Sequence, residues 1–189
     1  MIDQLEAWDK ALFLKLNGAH NSLFDFLMPW ISNKYLWIPL YALLLFWLIK
    51  KDQRQWILVI LSIGLLIFIS DQVASGFLKP TVERLRPCYD PEISDQVHLL
   101  KGCGGQYGFA SSHSSNSFAV AIFCWLMLKD HLKYIWLLIP WAALVAYSRV
   151  YLGVHYPGDV ITGMLIGLGA AQLVYFLFRR ITHKRAANV

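Results

Sequence analysis

The sequence predicts an all-α fold: a polytopic bundle of about five transmembrane helices with an interfacial helical region at its N-terminus. Of 189 residues, 57% are hydrophobic and 15% are charged, whereas a soluble domain carries about 25% charged residues. Long apolar segments alternate with short basic runs, as in chains that cross a bilayer several times. The net charge of +5 lies largely in those short runs. This distribution predicts that the basic residues set the orientation of the chain in the membrane, and we expect no nucleic-acid partner. We expect residues 1–189 to form a single membrane domain.

Residues 1–32 are predicted to be the interfacial amphipathic region. Four apolar side chains share one helical face: Leu5, Trp8, Leu12 and Leu16. The chain start lacks the basic residues of a signal peptide. The apolar piece 22–32 is interrupted by Asp25 and Pro29 and is too short to span alone, which predicts a re-entrant or interfacial helix.

Five apolar segments are the predicted membrane helices. They cover residues 34–49, 55–78, 114–128, 134–149 and 159–178. The second and fifth reach the length of about 20 residues that crosses a bilayer core, while the others are shorter but rich in Phe, Trp, Leu and Ile. Gly163 and Gly167 predict close helix packing within the chain, and Cys124 is expected to fill apolar space.

Three tight basic turns predict the orientation. KKDQR at 50–54, KDHLK at 129–133 and RRITHKR at 179–185 hold nine of the 17 lysines and arginines. Short cytoplasmic loops concentrate these residues. We therefore expect the turns and the tail 179–189 in the cytoplasm, with the N-terminus and the segments 79–113 and 149–158 on the outer side.

Ionisable residues collect at the outer ends of the predicted helices. They are Lys79, Arg84, Arg86, His113, Arg149, His155 and Asp159. Polar groups at membrane depth are costly and therefore point to function. Several cations with one carboxylate suit a polyanion, because arginine binds phosphate oxygens through two parallel N–H groups. The serine-rich stretch 111–117 precedes an apolar run, so a helix start can offer further N–H donors.

Two histidines can divide the work of a phosphoryl transfer: one attacks phosphorus, and the other protonates the leaving oxygen. His155 and Asp159 stand four residues apart, a spacing at which the carboxylate can hold the imidazole in one tautomer. Asp159 also follows Pro-Gly and precedes an apolar run, which fits a helix N-cap. No metal is required, because fixed cations can stabilise charge on the transferred group.

Three motifs occur in order at the ends of apolar segments. K-x6-R-P spans 79–87, Ala-Ser-Ser-His spans 110–113, and S-R-x5-H-x3-D spans 148–159. Together they resemble the type 2 phosphatidic acid phosphatase (PAP2) family of integral membrane lipid phosphatases. The resemblance covers roughly residues 30–178.

The resemblance implies a role for each motif residue. His155 would be the nucleophile, Asp159 its orienting carboxylate, and His113 the general acid. Phosphate would be held by Lys79, Arg86, Ser111, Ser112 and Arg149. The resemblance also implies catalysis without metal or cofactor, at the periplasmic face of a bacterial inner membrane. Ala110 and Ser112 stand where the family usually has proline and glycine, which leaves the phosphate geometry there open.

Three further hypotheses concern neighbouring residues. Asp71, two helical turns before Lys79, either pairs with an adjacent helix or positions Lys79. Arg84 is expected at the surface or near headgroups, with phosphate contact or support of the site as alternatives. Cys88 and Cys103 fall in one outer loop, where an oxidising compartment would permit a disulfide. Two free thiols are the alternative.

The predicted activity is hydrolysis of a lipid phosphate or pyrophosphate through a phosphohistidine, with membrane lipids as the surroundings. Undecaprenyl pyrophosphate is the first candidate substrate, only because it is a general one and not because of any particular residue. Lipid A and phosphatidylglycerol phosphate are the alternatives. A transporter or flippase that binds anionic lipids without hydrolysis is the competing class, although it would not need His113, His155 and Asp159 together. The residues do not specify an oligomeric state.

Overall fold

The computed structural model describes residues 2–187, which fold into helices joined by short turns and one long segment. The α-helices are α1 Ile2–Gly18, α2 Ser22–Ile31, α3 Ile38–Lys51, α4 Trp56–Asp71, α5 Lys79–Val82, α6 Ser112–Leu128, α7 Leu138–Tyr151 and α8 Pro157–Ala187. No strand occurs among the described residues, where only Leu85 and Tyr107 form an isolated bridge. The predicted all-α class is confirmed.

Helices α4 and α5 form one continuous rod, because the π-helical stretch Gln72–Leu78 joins them. Such wide turns occur often near functional sites. The rod continues to Val82, so Lys79 lies on a helix and not at the start of a loop. Glu83 then ends the rod in a left-handed conformation, with φ 51°, and turns the chain towards Arg84.

Helix α6 lies at the centre of the bundle and packs most extensively on α8, then on α7 and α4. Small residues permit the close contact with α8. A Cβ atom at Gly163 would lie 2.4 Å from the carbonyl oxygen of Ser111, and one at Gly167 would lie 2.3 Å from that of Ser115. Cys124 is buried in this core.

Large apolar side chains cover the outside of the bundle. Phe46, Phe68 and Leu165 are 55%, 63% and 58% exposed, as expected of helices whose outer faces meet lipid. By length and composition, two helices can cross a membrane, Gln53–Val82 and Pro157–Lys184. A third crossing results if Ser22–Ile31 and Lys34–Lys51, bent by 66°, count as one. The predicted number of five crossings is not confirmed, because the remaining helices are too short or too polar to qualify.

The basic turns share one end of the bundle. Lys51 donates a hydrogen bond to the carbonyl oxygen of Met127, and its charge interacts with Asp130 and Arg179. Since α4, α6, α7 and α8 each run from this end to the other, the residues at their opposite termini meet there. That opposite end carries the three motifs.

Helix α1 has two unlike faces. Leu5, Trp8 and Leu12 are 56%, 63% and 45% exposed, and they belong to the stripe predicted to lie on the membrane. Phe13 and Asn17, at 0% and 1% exposure, lie on another face that packs against the bundle. Helix α1 therefore packs on the rest of the protein through a face that was not predicted from the spacing of its apolar residues.

Candidate active site

His155 lies in the short loop between α7 and α8 and is 1% exposed. Its Nδ1 is 3.4 Å from Oδ2 of Asp159, so Nε2 is the ring nitrogen left for attack. Burial lowers the pKa of His155 well below its ordinary value, and the charges of Arg149, Arg86 and Lys79 lower it further. The imidazole is therefore neutral at physiological pH, as a nucleophile must be.

Asp159 is fully buried and serves the helix and the histidine together. It is the third residue of α8, and its Oδ2 accepts a hydrogen bond from the backbone N–H of Tyr156 at 3.0 Å. A carboxylate that reaches back in this way caps the helix start. Asp159 therefore does not occupy the predicted N-cap position, but it stabilises the helix start from the third helical position and also faces His155.

Arg84 is partly buried and pairs with two carboxylates. Its side chain is 19% exposed and forms ion pairs with Asp159 at 3.0 Å and with Asp9 at 2.8 Å. The guanidinium also lies over the Tyr156 ring, 4.1 Å from the centroid. The predicted surface position is therefore wrong, and Arg84 supports the carboxylate that faces His155.

The predicted phosphate-binding residues approach His155 from several elements. Lys79 comes from α5, Arg86 from the long segment after it, and Arg149 from α7, and all three charges act on the imidazole. Ser111 precedes α6 as its N-cap, and Ser112 is the first residue of that helix. These elements are far apart in sequence, and only the bundle brings their side chains to one level.

Two buried polar atoms in this group have no hydrogen-bond partner among the described residues: Ser111 Oγ and Arg149 Nε. Leaving buried polar atoms unpaired is costly. Arg149 is otherwise held by a hydrogen bond to Ser32 Oγ, and Arg86 by a bond from Nε to the Tyr107 carbonyl at 3.3 Å. The arginines are thus oriented by the protein while donor capacity stays available for an anion.

His113 lies in the first turn of α6 and interacts electrostatically with His155. It lines a cavity of about 790 Å³. Asp71 and Asn116 line the same cavity, and Asn116 Nδ2 donates to Asp71 Oδ1 at 3.5 Å. Asp71 therefore contacts the neighbouring helix α6, and its charge also acts on Lys79, so the two predicted alternatives are compatible.

The segment between α5 and α6 folds back on itself beside the catalytic pair. Arg86 N donates to the Gln106 carbonyl at 3.1 Å, and Gly108 N donates to the Arg84 carbonyl at 2.9 Å. A Cβ atom at Gly108 would lie 2.9 Å from Asp159 Oδ2, so a side chain does not fit there. Cys88 and Cys103 in this segment are joined by a disulfide, with Cα atoms 6.2 Å apart.

Sequence reasoning missed the contribution of α1. Asp9 accepts a hydrogen bond from Gly158 N at 2.8 Å and forms an ion pair with Arg84 at 2.8 Å. The neighbouring Lys10 lies 2.9 Å from Asp90, and Asp90 in turn accepts a hydrogen bond from the Tyr156 hydroxyl at 2.6 Å. The available signal was the opposite charges of Asp9 and Lys10 at consecutive positions of an amphipathic helix.

Comparison with known proteins identifies the family. The family model described as the PAP2 superfamily matches residues 55–183, more than half of the chain. The chain belongs to the PAP2 superfamily. It is therefore a PAP2 phosphatase, an integral membrane enzyme that hydrolyses phosphate esters of lipids.

The relatives of this PAP2 chain are named for different lipid substrates. It is 38% identical over 186 residues to the lipid A 4'-phosphatase of Bacteroides thetaiotaomicron, covering 96% of this chain and 82% of the relative. It is 33% identical over 160 residues to the undecaprenyl-diphosphatase of Sulfolobus acidocaldarius, covering 82% and 71%. Among solved structures, LpxE of Aquifex aeolicus superposes with a TM-score of 0.68 at 26% identity, covering 87% of this chain and 92% of that one.

Proposed function

We propose that this PAP2 enzyme removes a phosphate group from lipid A, at the position named for its Bacteroides relative. The main support for this proposal is the 38% sequence identity with that relative across 96% of the chain. The undecaprenyl-diphosphatase of Sulfolobus acidocaldarius is less similar, at 33% identity, and covers less of the chain. We therefore prefer lipid A as the substrate over undecaprenyl pyrophosphate. The sequence motifs favoured undecaprenyl pyrophosphate only because it is a widespread substrate, and not because of any particular residue.

The cavity beside His113 supports this substrate class. Much of its wall is apolar, with Trp37 and Leu66 among the lining residues, yet Asp71 and Asn116 also face it. A carboxylate near the leaving oxygen repels a leaving group that is itself a phosphate. A neutral sugar hydroxyl avoids this repulsion and can hydrogen-bond to both polar residues. The cavity therefore suits a phosphorylated sugar with acyl chains better than a polyprenyl pyrophosphate.

In the proposed first step, Nε2 of His155 attacks phosphorus, a nitrogen–phosphorus bond forms, and the bond from phosphorus to the sugar oxygen breaks. His113 donates its proton to that oxygen. The negative charge of the bound phosphate favours the protonated form of His113 before transfer. Lys79, Arg86 and Arg149 stabilise the charge on the transferred group.

In the second step, water attacks the phosphohistidine and the nitrogen–phosphorus bond breaks. His113, now neutral, accepts a proton from the water. Asp159 holds the His155 ring through Nδ1, so Nε2 keeps its position in both steps. Ser111 Oγ and Arg149 Nε, which are buried without partners among the described residues, are suited to bind phosphate oxygens throughout.

We further propose that the site faces the periplasm of a bacterial inner membrane and that the C-terminal tail lies in the cytoplasm. The clustering of the basic turns at the end of the bundle opposite His155 supports this orientation, because cytoplasmic loops concentrate lysine and arginine. A substrate whose acyl chains remain in the membrane could then present its phosphate to the outer end of the bundle.

Phosphate release by purified protein in EDTA tests the function, with lipid A and undecaprenyl pyrophosphate as parallel substrates. We expect faster turnover of lipid A, and loss of activity by at least about 10³-fold in His155→Ala, since the covalent route is then closed. His131→Ala, at an exposed turn residue, is the matched control. Equal rates for wild type and His155→Ala contradict the mechanism, and faster turnover of the pyrophosphate contradicts the substrate.

A further inference from the structure

A second cluster of ligand-type side chains lies outside the catalytic group. His20 is in the turn between α1 and α2, Asp25 is on α2, and His98 is in the long segment before α6. One ligand atom from each lies within 4.8 Å of the others. Asp25 Oδ1 and His98 Nε2 are 3.0 Å apart. We propose that these three residues bind a divalent cation of the zinc type.

The ligand set matches this class of ion. Zinc binds imidazole nitrogen and carboxylate oxygen at about 2.0–2.2 Å, which places ligand atoms roughly 3.3 Å apart in a tetrahedral site. Asp25 Oδ1 and His98 Nε2, 3.0 Å apart, are close to that separation. His20 is exposed, and a rotation of its side chain would close the remaining distance. Calcium and magnesium are disfavoured because they prefer oxygen ligands.

The two imidazoles also have an arrangement that needs explaining. The rings of His20 and His98 are stacked, with centroids 3.7 Å apart and planes 7° from parallel. The stack holds the two rings side by side, with one nitrogen of each within 4.8 Å of a carboxylate oxygen of Asp25. A simple ion pair between His98 and Asp25 accounts for one histidine and leaves the second without a role.

Neighbouring groups hold the ligands in place, as is usual around metal sites. The hydroxyl of Tyr151 donates to Asp25 Oδ1 at 2.6 Å. Asn17, which is 1% exposed, accepts a hydrogen bond from the backbone N–H of His98 at 2.8 Å. Its Nδ2 donates to the Tyr151 carbonyl at 2.9 Å. Asn17 thus fixes the backbone of the segment that carries His98 against α7.

A bound ion would join the turn between α1 and α2 to the segment that precedes α6. Each of these two parts of the chain adjoins residues of the candidate active site. Helix α1 carries Asp9, and the long segment before α6 carries Arg84 and Gly108. The cation would therefore act as a structural clamp on the arrangement around Asp159, and it would take no part in phosphoryl transfer. This inference does not depend on the lipid substrate.

Zinc titration of the full-length protein, stripped with EDTA and purified in detergent, tests the site by calorimetry. We expect one equivalent of Zn²⁺ with micromolar or tighter affinity, weakened at least tenfold in His20→Ala and in Asp25→Asn. His131→Ala should bind as wild type does. In thermal unfolding, Zn²⁺ at 100 times its dissociation constant should raise Tm by roughly 5 °C or more.

Two results would overturn the proposal: no saturable binding to the wild type, or binding that is unchanged in both ligand variants. His20 is exposed and forms no side-chain hydrogen bond within the described part of the chain, so His20→Ala should fold normally. Its elution profile and its Tm without zinc check this directly.

Discussion

The guanidinium of Arg84 lies 3.0 Å from Oδ1 of Asp159, whose other oxygen faces His155. The same guanidinium reaches Asp9 on α1. The carboxylate beside the proposed nucleophile is thus held through an arginine from a distant segment, and that arginine is itself held by the N-terminal helix.

Arg84→Lys tests the two-way contact. A lysine keeps the charge but cannot reach both carboxylates with separate N–H groups. We expect a fall in kcat of about tenfold, because the imidazole is held less firmly in its reactive position. Steady-state hydrolysis of the lipid substrate measures this effect. Arg54→Lys, at an exposed residue, should match wild type, and full activity of Arg84→Lys would mean that one contact is enough.

Asp9→Asn removes the charge of α1 next to Arg84 while keeping the shape of the side chain. We expect kcat to fall by about three- to tenfold with KM little changed, since Asp9 acts through Arg84 and does not reach the substrate. Asp3→Asn changes an exposed carboxylate of the same helix and should have no effect. A rise in KM alone would argue instead that α1 contributes to substrate binding.

Gly163→Ala should push α8 away from the start of α6. The new methyl group would lie 2.4 Å from the Ser111 carbonyl oxygen, and overpacking of this kind costs about 1–3 kcal/mol. We expect a lower Tm in detergent and reduced hydrolysis, because Ser111 and His113 move with α6. Gly169→Ala is the control on the same helix, since its Cβ would meet nothing within 4 Å. That change should stabilise the helix by about 0.5–1 kcal/mol.

Asp71→Asn addresses the choice of leaving group. Removal of the negative charge near His113 should favour a substrate whose leaving group is a phosphate. We expect the ratio of kcat/KM for undecaprenyl pyrophosphate to that for lipid A to rise by about three- to tenfold, an effect of about 1 kcal/mol. Parallel assays on the two lipids measure the ratio. An unchanged ratio would remove the electrostatic argument and leave the proposal on similarity alone.

The disulfide between Cys88 and Cys103 should stabilise the folded protein. It closes a loop with a sequence separation of 15, for which the chain-entropy treatment gives about 3 kcal/mol. We expect reductant to lower Tm by roughly 6–12 °C for a chain of this size. The double variant Cys88→Ser/Cys103→Ser should start from the lower Tm and show no further response to reductant. A wild type insensitive to reductant would contradict a stabilising role.

The local features of this protein were determined by the sequence alone. The all-α class follows from apolar segments and basic turns. The contact between His155 and Asp159 follows from a spacing of four residues at the start of a helix. Gly163 and Gly167 predict close packing of their own helix within the chain, although not that α6 is the partner. Each rests on neighbours within one or two helical turns, where backbone geometry fixes which side chains meet.

Only the tertiary structure decided the contacts between distant segments. Asp9 and Arg84 meet across 75 residues, and nothing in the spacing of either one indicates the other. The same holds for the cluster of His20 and His98. Burial also reversed one expectation, because an isolated arginine near a membrane favours headgroups until a buried carboxylate such as Asp159 requires a counter-charge. Pairing between distant charges depends on how the helices pack, and that information lies in the whole chain and not in any one motif.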